Sequence, residues 1–558
     1  MLIKKFLFML VLIQARLLIK KFDAVLKSPY RYQLRILLKK CVRSVHSDFG
    51  KAHFFSSIKT VEDFRNRVPI QSYDMLKPYV DRVVAGDTCA LFNSSEKILM
   101  FALTSGTTHT CKHIPVTRAF LNEYKRSSLL WGFNLVSDHD FMNHKILALV
   151  SPFDEAYTEN GIPCGSISGL VVATQKYVAR RLYVLPYWVY AIEDQTVKYY
   201  TLLRIALAEP DIGLISTANP STLIKIAQLC NQYRDQLIQD IRTGTLSVPI
   251  SLTRNQRRSI RHVFRPDPAR AEFLHRHVCL HGVLYPRHAW QDMQVIATWK
   301  GGVLGHYIDL LPTYYGSVPV RDLGLIASEG RMSIPVSSQG SEGILDITGQ
   351  FFEFIPEEEY DNPVRRTLLC HELEMGKKYY LIITNSAGFF RYDINDLIEV
   401  TGFRHNTPVI TFLNKGKHIA SLTGEKLSEH QIVTAVHDTV KQLGIELHYY
   451  TVSPSWSKTP AYVVMLEQEP WMQSIGLNKF IDVFDAALKQ RNIEYRAKRD
   501  SGRLDKPQIA VIENGTFERI KHERIQSNNG RSEQYKHVYL NPKIDYHKEF
   551  RVLKHITA

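Results

Sequence analysis

A run of hydroxyl side chains with one glycine and a terminal lysine follows the apolar segment 98–103. The run is Thr104-Ser105-Gly106-Thr107-Thr108-His109-Thr110-Cys111-Lys112. The apolar segment predicts a short strand, and residues 114–117 predict a second element. Hydroxyls and backbone N–H groups can donate hydrogen bonds, glycine allows close approach, and lysine adds positive charge. A polyphosphate needs these groups. An ordinary Ser/Thr-rich turn has the same composition, so the loop alone leaves both interpretations open.

Four later stretches place polar side chains at turns or strand ends. In residues 324–330, Glu329 follows an apolar run and could reach a metal ion bound to phosphates. Residues 388–397 place an acidic residue just before an expected strand, where a carboxylate can accept both hydroxyls of a ribose. Residues 423–429 and 528–536 form a polar turn and a polar loop that ends in a lysine. Taken singly, each is equally a strand end, a helix cap or a surface loop.

Residues 275–281 contain three histidines and one cysteine, four candidate metal ligands within seven positions. If the segment is a strand, the alternation of side chains points all four to one face. A mononuclear tetrahedral site usually draws its ligands from more than one element, however, and no second cluster follows at a zinc-like spacing. We therefore favour an ordinary structural surface here.

Length and composition restrict the class of protein. A chain of 558 residues is too long for one ordinary core, and 45% hydrophobic with 22% charged residues is a globular composition. The net charge of +15, from 70 basic and 55 acidic residues, favours anionic partners. No arginine-rich arm stands out, so we do not expect a nucleic-acid binder. The seven cysteines contain no CxxC pair, which favours the reducing cytoplasm.

The N-terminus imitates a signal peptide, because two lysines precede the apolar residues 6–13. Polar and basic residues follow at once, no small-x-small cleavage site is evident, and the apolar run is too short to span a bilayer. We favour an N-terminal helix packed on the body of the protein. A helix lying on a membrane surface through residues 1–21 stays open as the alternative, because the flanking lysines suit anionic lipid.

Hydrophobic patterning predicts the elements that position these residues. Residues 2–45 read as helices, and Thr60 is an N-cap for a short helix with Asp63 in its first turn. Short apolar runs then alternate with turns and helices, the pattern of an α/β layer. The expected elements are strands within 146–150, 169–173, 212–215, 378–384, 409–413 and 462–466, a hairpin of 343–347 with 351–355, and helices 221–233 and 429–443.

The order of these features resembles the adenylate-forming superfamily, and in detail the plant auxin-responsive promoter family of acyl acid–amido synthetases and their bacterial relatives. The first motif is Thr104–Thr108 with Lys112, the second is Ala327-Ser328-Glu329, and the third begins Arg391-Tyr392-Asp393-Ile394-Asn395-Asp396. Residues 64–70, 161–166, 219–221 and 424–426 also match. The resemblance runs from about Tyr30 to near the C-terminus, and the combination of motifs is specific.

Three residues depart from the family pattern. His109 stands where the phosphate loop usually has a second glycine, so its side chain must point away from the phosphates or the loop must differ. Leu325 stands where many members carry a tyrosine that stacks on adenine. Asn395 replaces the usual glycine before Asp396. Lys112, Glu329, Asp396 and Lys536 are in place.

The resemblance implies an α/β fold with two domains. Residues 1–413 would form a large N-terminal adenylate-forming domain, with mixed sheets and a β-barrel flanked by helices. Residues 414–558 would form a small mobile α+β domain that acts as a lid, with a hinge at the polar turn 414–417. The implied ligase activates a carboxylic acid with ATP and Mg²⁺, then transfers the acyl group to an amine, expected to be that of an amino acid.

Roles for individual residues follow from the same resemblance. Thr104, Ser105, Gly106, Thr107 and Thr108 would bind the phosphates, and Ser328 would also contact the nucleotide. Glu329 would hold Mg²⁺, Asp396 the ribose hydroxyls, and Arg391 would support the ribose site. Lys536 would stabilise the charge that develops during adenylation, and Lys112 the departing pyrophosphate.

The acid and the acceptor stay open at this point. Residues 184–188 and 166–170 are the expected acyl pocket, and their aromatic density suits an aryl or indolyl acid. An apolar helix in the core would have the same composition. Two rival functions remain: an acyl-CoA ligase, and a non-catalytic nucleotide-binding or membrane-surface protein.

Overall fold

The computed structural model describes residues 2–94, 96–104, 112–139, 143–175, 177–249, 263–301, 304–416, 419–445, 447, 449–456, 459–520 and 537–557. These residues divide into two compact units. The N-terminal unit contains residues 2–104 and 112–414, and the C-terminal unit begins at Lys415. Each unit is built around its own core.

The helices of the N-terminal unit flank three sheets and one ribbon. They are α1 (Leu2–Val25), α2 (Pro29–Arg43), α3 (Asp48–Ala52), α4 (Val61–Arg67), α5 (Tyr73–Val84), α6 (Arg118–Asp138), α7 (Ile167–Ala173), α8 (Tyr177–Arg180), α9 (Gln195–Ala208), α10 (Pro220–Gln232), α11 (Arg234–Thr243), α12 (Pro268–His281), α13 (Pro286–Ala289) and α14 (Gly305–Tyr315).

The strands of this unit are β1 (Ile98–Thr104), β2 (Lys112–Thr117), β3 (Lys145–Leu149), β4 (Ala156–Tyr157), β5 (Pro163–Gly165), β6 (Ile212–Thr217), β7 (Val295–Ala297), β8 (Val320–Arg321), β9 (Ile326–Ala327), β10 (Gly330–Arg331), β11 (Ser333–Ile334), β12 (Gly343–Leu345), β13 (Phe351–Pro356), β14 (Lys378–Thr384), β15 (Tyr392–Arg404) and β16 (Thr407–Lys415). One mixed sheet has the order β2-β1-β5-β4, and a parallel sheet has the order β3-β6-β7-β8. A six-stranded sheet has the order β11-β12-β16-β15-β14-β13, and it lies in the part of the chain where the β-barrel was expected. Strands β9 and β10 pair as a separate two-stranded ribbon.

One continuous core joins the mixed sheet and the six-stranded sheet to helices α2, α4 and α5. Leu37, Phe64, Phe101, Phe351 and Phe390 lie in it, each no more than 1% exposed. Burial of such side chains contributes roughly 1.5–3 kcal/mol each to folding. Strands β1 and β15, whose ends carry two of the motifs, are therefore fixed on several sides.

The short helix α4 begins as its sequence predicts. Asp63 N–H donates to Thr60 Oγ1 at 3.0 Å, and Thr60 N–H donates to Asp63 Oδ2 at 2.9 Å. This reciprocal capping box satisfies two N–H groups that the first turn leaves without partners. The N-cap prediction is confirmed.

The expected hairpin of residues 343–347 and 351–355 is wrong. Strand β12 pairs with β11 and β16, β13 pairs with β14, and three strands lie between β12 and β13. The link turns at residues 347–349 and is bonded to α2: Gln33 Nε2 donates to the carbonyl oxygens of Ile347 (2.9 Å) and Gln350 (2.7 Å). A turn is therefore present, but it connects strands that lie apart in the sheet, and local sequence carries no signal of the contact with Gln33.

The strand expected at 169–173 is helical, and so is the segment 275–281, for which a strand was one possibility. Residues 169–173 belong to α7, and residues 275–281 belong to α12. The helical spacing separates the four candidate ligands into pairs, His275 with Cys279 and His277 with His281, on two different faces. Within the described part of the chain, no group of three or more His, Cys, Asp or Glu side chains is arranged to hold a metal ion.

The C-terminal unit is a small α+β structure. Its helices are α15 (Glu429–Leu443), α16 (Trp471–Ser474), α17 (Leu477–Arg491) and α18 (Ile493–Asp500). Its strands are β17 (Ile419–Ala420), β18 (Leu427–Ser428), β19 (Tyr450–Ser455), β20 (Ala461–Glu467), β21 (Gln508–Ile512) and β22 (Val552–Ile556), with the sheet order β19-β20-β21-β22. The helix expected at 429–443 and the strand expected at 462–466 are confirmed.

Helix α1 packs on the N-terminal unit through its C-terminal half, where Phe22 is buried. No helix among the described residues is both long enough and apolar enough to cross a bilayer.

Candidate active site

The phosphate-loop motif is carried by an antiparallel hairpin. Strands β1 and β2 pair from Met100↔Val116 to Thr104↔Lys112, and that last pair closes the hairpin. Strand β1 is an inner strand of its sheet, between β2 and β5, so the position of the hairpin end is fixed by both neighbours. Ser105, Gly106, Thr107, Thr108 and His109 lie between the two closing residues and outside the described part of the chain.

Lys112 is held against aromatic rings. Its Nζ donates to the hydroxyl of Tyr392 at 3.3 Å and lies 5.2 Å from the ring centre of Tyr73 and 5.9 Å from that of Tyr392. The negative faces of aromatic rings attract a cation at such distances. The Tyr73 hydroxyl in turn accepts the N–H of His113 at 2.8 Å. Lys112 is half-buried and oriented, unlike a freely solvated surface lysine.

Tyr392 is a buried hydroxyl beside charged groups. It is 1% exposed, and burial together with the nearby negative charges of Glu329, Asp393 and Asp396 raises its pKa well above the usual value. The hydroxyl therefore stays protonated, as an uncharged partner for Lys112. Because the charges of Glu329 and Asp396 both act on this one hydroxyl, the structure brings Lys112, Glu329 and Asp396 into one region of the N-terminal unit.

Glu329 occupies the two-residue turn between β9 and β10. Its side chain is 4% exposed and forms no hydrogen bond or ion pair with any described residue. Its carbonyl oxygen accepts Asn385 Nδ2 at 2.9 Å, which fixes the turn. Gly330 follows at φ +147°, and a Cβ there would lie 1.7 Å from Gln350 Nε2, so the turn requires glycine. Ser328 Oγ lies 3.5 Å from the carbonyl oxygen of Leu103 in β1, which ties this turn to the phosphate-loop hairpin.

Asp396 lies inside β15, not before it as the sequence suggested. Strand β15 has two extra residues opposite β14, because Asp393 pairs with Ile382 while Leu397 pairs with Tyr380. Asn395 sits in this bulge at φ +62°, and its N–H donates to Asp393 Oδ1 at 2.8 Å. The left-handed backbone explains why glycine is usual here, and asparagine tolerates that conformation better than most residues. Asp396 lies in the bulge, directly after Asn395, and its side chain is 3% exposed.

Arg391 points into the protein. Its Nε and Nη2 contact the two carboxylate oxygens of Glu353 at 2.9 and 3.0 Å, and Nη1 donates to the carbonyl oxygen of Val68 at 2.8 Å. Arg65 also pairs with Glu353, at 3.1 Å. The matching stretch 64–70 therefore supports the strand that carries the third motif, and Arg391 is committed to that support.

Three family models match consecutive parts of the chain. The GH3 family N-terminal domain matches residues 18–320, the central domain residues 343–415 and the C-terminal domain residues 430–542. The chain belongs to the GH3 family. This assignment confirms the resemblance that the motifs predicted, the α/β fold class and the class of enzyme, an acyl acid–amido synthetase-type ligase.

Named relatives agree with the GH3 assignment. The chain is 25% identical over 527 residues to indole-3-acetic acid-amido synthetase GH3.4 of Arabidopsis thaliana, covering 90% of this chain and 88% of that protein. It is 24% identical over 490 residues to probable indole-3-acetic acid-amido synthetase GH3.1 of Oryza sativa subsp. japonica, covering 82% and 79%.

Two solved structures share the GH3 fold. The GH3.15 acyl acid amido synthetase superposes with a TM-score of 0.64 at 20% identity, covering 96% of this chain and 95% of that one. A complex of the GH3.15 enzyme with 2,4-DB superposes with a TM-score of 0.66, also at 20% identity, covering 94% of each chain. At this identity the likeness establishes the fold.

The two segments expected to line the GH3 acyl pocket meet at one loop, residues 151–154, which follows β3. The Tyr187 hydroxyl donates to Asp154 Oδ1 at 2.6 Å and accepts the Phe153 N–H at 2.9 Å. Ser166 N–H donates to the carbonyl oxygen of Pro152 at 2.8 Å. The loop lies at the carboxyl end of a parallel strand, where open α/β sheets bind ligands.

The turn at 424–426 has a structural role. Glu425 is fully buried, and its carboxylate accepts the N–H groups of Leu422 and Thr423, both at 2.7 Å, and the hydroxyl of Tyr462. These contacts fold the turn that precedes α15. The cap of α15 is Ser428, whose hydroxyl accepts the N–H of Gln431 at 3.2 Å, so capping accounts for Ser428 while Glu425 holds the turn before it.

The last predicted lysine, Lys536, lies outside the described residues, but the residues after it are fixed. His537 Nε2 lies 2.8 Å from the carbonyl oxygen of Tyr450, and Thr451 Oγ1 donates to the carbonyl oxygen of Val538 at 2.9 Å. Tyr539 N–H donates to Glu429 Oε1 at 2.9 Å. The chain is thus held along β19 from the residue after Lys536.

Sequence reasoning missed three residues of the site: Tyr73, Asn385 and Tyr392. Asn385 and its neighbours form an Asn-Ser-Ala-Gly turn between two strands, and that turn signal was present in the sequence. Tyr392 lies in the third motif, but its position there predicted no function for its side chain. Nothing in the sequence brings Tyr73 to Lys112, because the contact depends on the packing of α5 against the hairpin.

Proposed function

We propose that this GH3-family ligase joins a small carboxylic acid to an amine, that of an amino acid, in two half-reactions. A carboxylate oxygen attacks the α-phosphorus of ATP and pyrophosphate leaves, which forms an acyl-adenylate. The amine then attacks the acyl carbon, AMP leaves, and the nitrogen loses a proton as the amide forms. Adenylation replaces an oxide leaving group by AMP. The convergence of Lys112, Glu329 and Asp396 on Tyr392 is the observation that carries this proposal.

The nucleotide would bind between the closing residues of the β1–β2 hairpin and the β15 bulge. Thr104 through Thr108 and Ser328 would donate hydrogen bonds to the phosphates. Lys112, oriented by two tyrosine rings, would stabilise the departing pyrophosphate. Asp396 would accept the ribose hydroxyls, and Arg391 would hold β15 in place without touching the ligand.

Glu329 fits a role in binding Mg²⁺. A buried carboxylate without a hydrogen-bonding partner among the described residues is unfavourable, and a divalent cation is a partner that offsets this cost. When bound, Mg²⁺ would neutralise phosphate charge and align the phosphates for displacement. The chain supplies the orientation, because Asn385 and Gly330 fix the turn that holds Glu329.

We further propose that residues 1–413 and 414–558 act as two domains with a hinge at 414–417. Lys536 would enter the first half-reaction and stabilise charge at the α-phosphate, positioned by the fixed residues that follow it. The basic net charge would help to attract anionic acids and ATP. We place the activity in the reducing cytoplasm because the seven cysteines are scattered along the chain and odd in number.

The acid would bind beside the loop 151–154. Phe153 and Tyr187 have ring centres 5.4 Å apart, and such aromatic walls suit an aryl or indolyl carboxylic acid. The named relatives act on indole-3-acetic acid, an acid of this class.

A panel of carboxylic acids against amino acids and coenzyme A, with ATP and Mg²⁺, tests the proposal. Pyrophosphate release reports adenylation, and mass spectrometry identifies the product. We expect acid-dependent pyrophosphate release and an amide product. A thioester with coenzyme A would establish the acyl-CoA ligase instead. Absence of release with every acid, together with unmeasurable ATP binding, would refute the ligase function.

A further inference from the structure

The C-terminal half of α1 has a buried face. Ala15 and Phe22 are 5% and 6% exposed, and Leu18 and Leu26 pack against the same core. These residues are spaced by three, four and four positions, so they follow one stripe of a helix. This stripe attaches α1 to the N-terminal unit.

The other face of the same segment combines apolar and basic side chains. Ile13 and Leu17, one turn apart, are 46% and 54% exposed. Arg16, Lys20 and Lys21 are exposed beside them. The first 22 residues contain five basic residues and no acidic one. An exposed apolar stripe with cations on both sides is typical of a helix that lies on an anionic surface.

The sequence before this segment extends its apolar character. Residues 6–13 are eight consecutive apolar residues, and α1 is helical from Leu2. Eight helical residues measure about 12 Å, well short of the roughly 30 Å hydrocarbon core of a bilayer. The match to the GH3 N-terminal domain begins only at residue 18. The apolar segment therefore precedes the matched part of the family domain and is too short to span a membrane.

The C-terminal end of α1 is fixed to the turn between β15 and β16. Asp23 pairs with Arg404 at 3.2 Å and with His405 at 3.0 Å. The carbonyl oxygen of Leu26 accepts Thr407 Oγ1 at 3.0 Å, and that of Lys27 accepts Asn406 Nδ2 at 2.8 Å. The exposed face thus belongs to an element that is held at a defined place on the N-terminal unit.

We propose that α1 binds the surface of an anionic lipid bilayer. Ile13 and Leu17 enter the boundary between headgroups and acyl chains, while Arg16, Lys20 and Lys21 contact lipid phosphates. The occupant is an anionic lipid surface because the exposed apolar pair lies among three cations and no acidic residue precedes Asp23. This inference is independent of the ligase reaction.

Sedimentation of the full-length protein with vesicles tests the proposal. We compare vesicles of phosphatidylcholine alone with vesicles that also contain phosphatidylglycerol. We expect binding to the anionic vesicles that weakens as salt rises, because surface charges are screened. Exchanging Ile13 and Leu17 for glutamine (I13Q/L17Q) should weaken binding roughly tenfold or more, since two apolar side chains lose their insertion energy. Lys20→Glu should weaken it at least about fivefold at low salt.

Leu280→Gln and Arg276→Glu are the matched controls, because both residues are exposed on α12, and Leu280 is 74% exposed. Neither control should change vesicle binding. Equal sedimentation of wild type and I13Q/L17Q, or failure of the wild type to bind anionic vesicles, would overturn the proposal. An oligomer that I13Q/L17Q dissociates, measured by light scattering without lipid, would instead identify a second copy of the chain as the occupant.

Discussion

At the scale of single residues, the site depends on how each charged group is held. Lys112 lies against the rings of Tyr73 and Tyr392 and donates to a hydroxyl whose burial keeps it protonated. Aromatic faces orient a lysine without neutralising it, as a carboxylate would. These contacts fix the direction of the ammonium, as its proposed role at a phosphate ligand requires.

Removing the Tyr392 hydroxyl should affect the site more than the fold. In Tyr392→Phe the ring contact to Lys112 remains and the 3.3 Å hydrogen bond disappears. We expect adenylation, measured as acid-dependent pyrophosphate release, to fall about tenfold, the size of one such bond. Tyr379→Phe, another buried tyrosine of the six-stranded sheet, is the control. Equal activity of Tyr392→Phe and wild type would show that Lys112 needs no such partner.

Glu329→Gln tests the metal role. Glutamine keeps the shape of the side chain and removes its charge, so we expect roughly a hundredfold loss of adenylation and a higher Mg²⁺ concentration at half-maximal rate. A Mg²⁺ titration of pyrophosphate release measures both. The exposed Glu374→Gln serves as the comparison. An unchanged Mg²⁺ requirement in Glu329→Gln would remove Glu329 from the metal site.

The residues proposed to bind phosphate, metal and ribose could be selected at this scale, because their types were visible in the sequence in a fixed order. The support of the site could not. Sequence showed Arg391 and the stretch 64–70 as separate matches, and only the fold joins both through Glu353. A buried ion pair between distant segments has no local signature.

At the scale of elements, the bulge in β15 positions Asp396. The bulge depends on a left-handed residue, Asn395 at φ +62°, whose side chain also accepts the Tyr360 hydroxyl at 3.1 Å. The strand at 378–384 and the helix at 429–443 followed from periodicity, whereas the bulge and the place of β12 did not. Both depend on contacts with partners far along the chain, Tyr360 and Gln33, which periodicity does not record.

Alanine and glycine at position 395 separate the backbone from the side chain. Both variants lose the contact to Tyr360, but only alanine pays the steric cost of the left-handed region. We expect Asn395→Ala to be less stable than Asn395→Gly by about 1 kcal/mol, measured by urea unfolding. Equal stability of the two variants would mean that the bulge relaxes to ordinary strand geometry.

The end of the parallel sheet carries a carboxyl with an altered pKa. Burial raises the pKa of Asp322 from 3.8 to about 6, although it accepts the N–H groups of Lys300 and Gly324. The folded state thus holds this proton more tightly than the unfolded state. The resulting stabilisation is complete below pH 4 and is lost as the pH rises through 6.

Asp322→Asn removes this titration. Between pH 4 and 7, the unfolding free energy of the wild type should fall relative to Asp322→Asn by roughly 3 kcal/mol. Denaturant unfolding of both proteins across this range measures the difference in unfolding free energy. The titration of the other groups is the same in both proteins and cancels in that difference. A difference that is independent of pH would show that Asp322 titrates normally in the folded protein.

At the scale of the whole molecule, the described residues form two units, each with its own core. In the proposed function, Lys112, Glu329 and Asp396 of the first unit bind the nucleotide, and Lys536 acts from the sequence of the second. Separate family models, for an N-terminal and a C-terminal domain, match parts of these two units. The order of the residues along the chain was enough to propose this division, because the lysine comes last.

Lys536→Ala should therefore separate the half-reactions. We expect acid-dependent pyrophosphate release to fall about a hundredfold, since one charge contact to the transition state is lost. Amide formation from added acyl-adenylate should stay near the wild-type rate. Lys543→Ala, an exposed lysine nearby in the sequence, is the control. Intact adenylation in Lys536→Ala would refute this assignment.

Strand β15 carries Asp396 near its start and, at its other end, the turn that holds α1. Eight residues of strand separate Asp396 from Arg404, about 26 Å. If the protein is attached to a solid support through its first residues, mechanical force acts on the end of β15 that is remote from the proposed nucleotide ligands. An immobilised enzyme tethered in this way should keep its turnover.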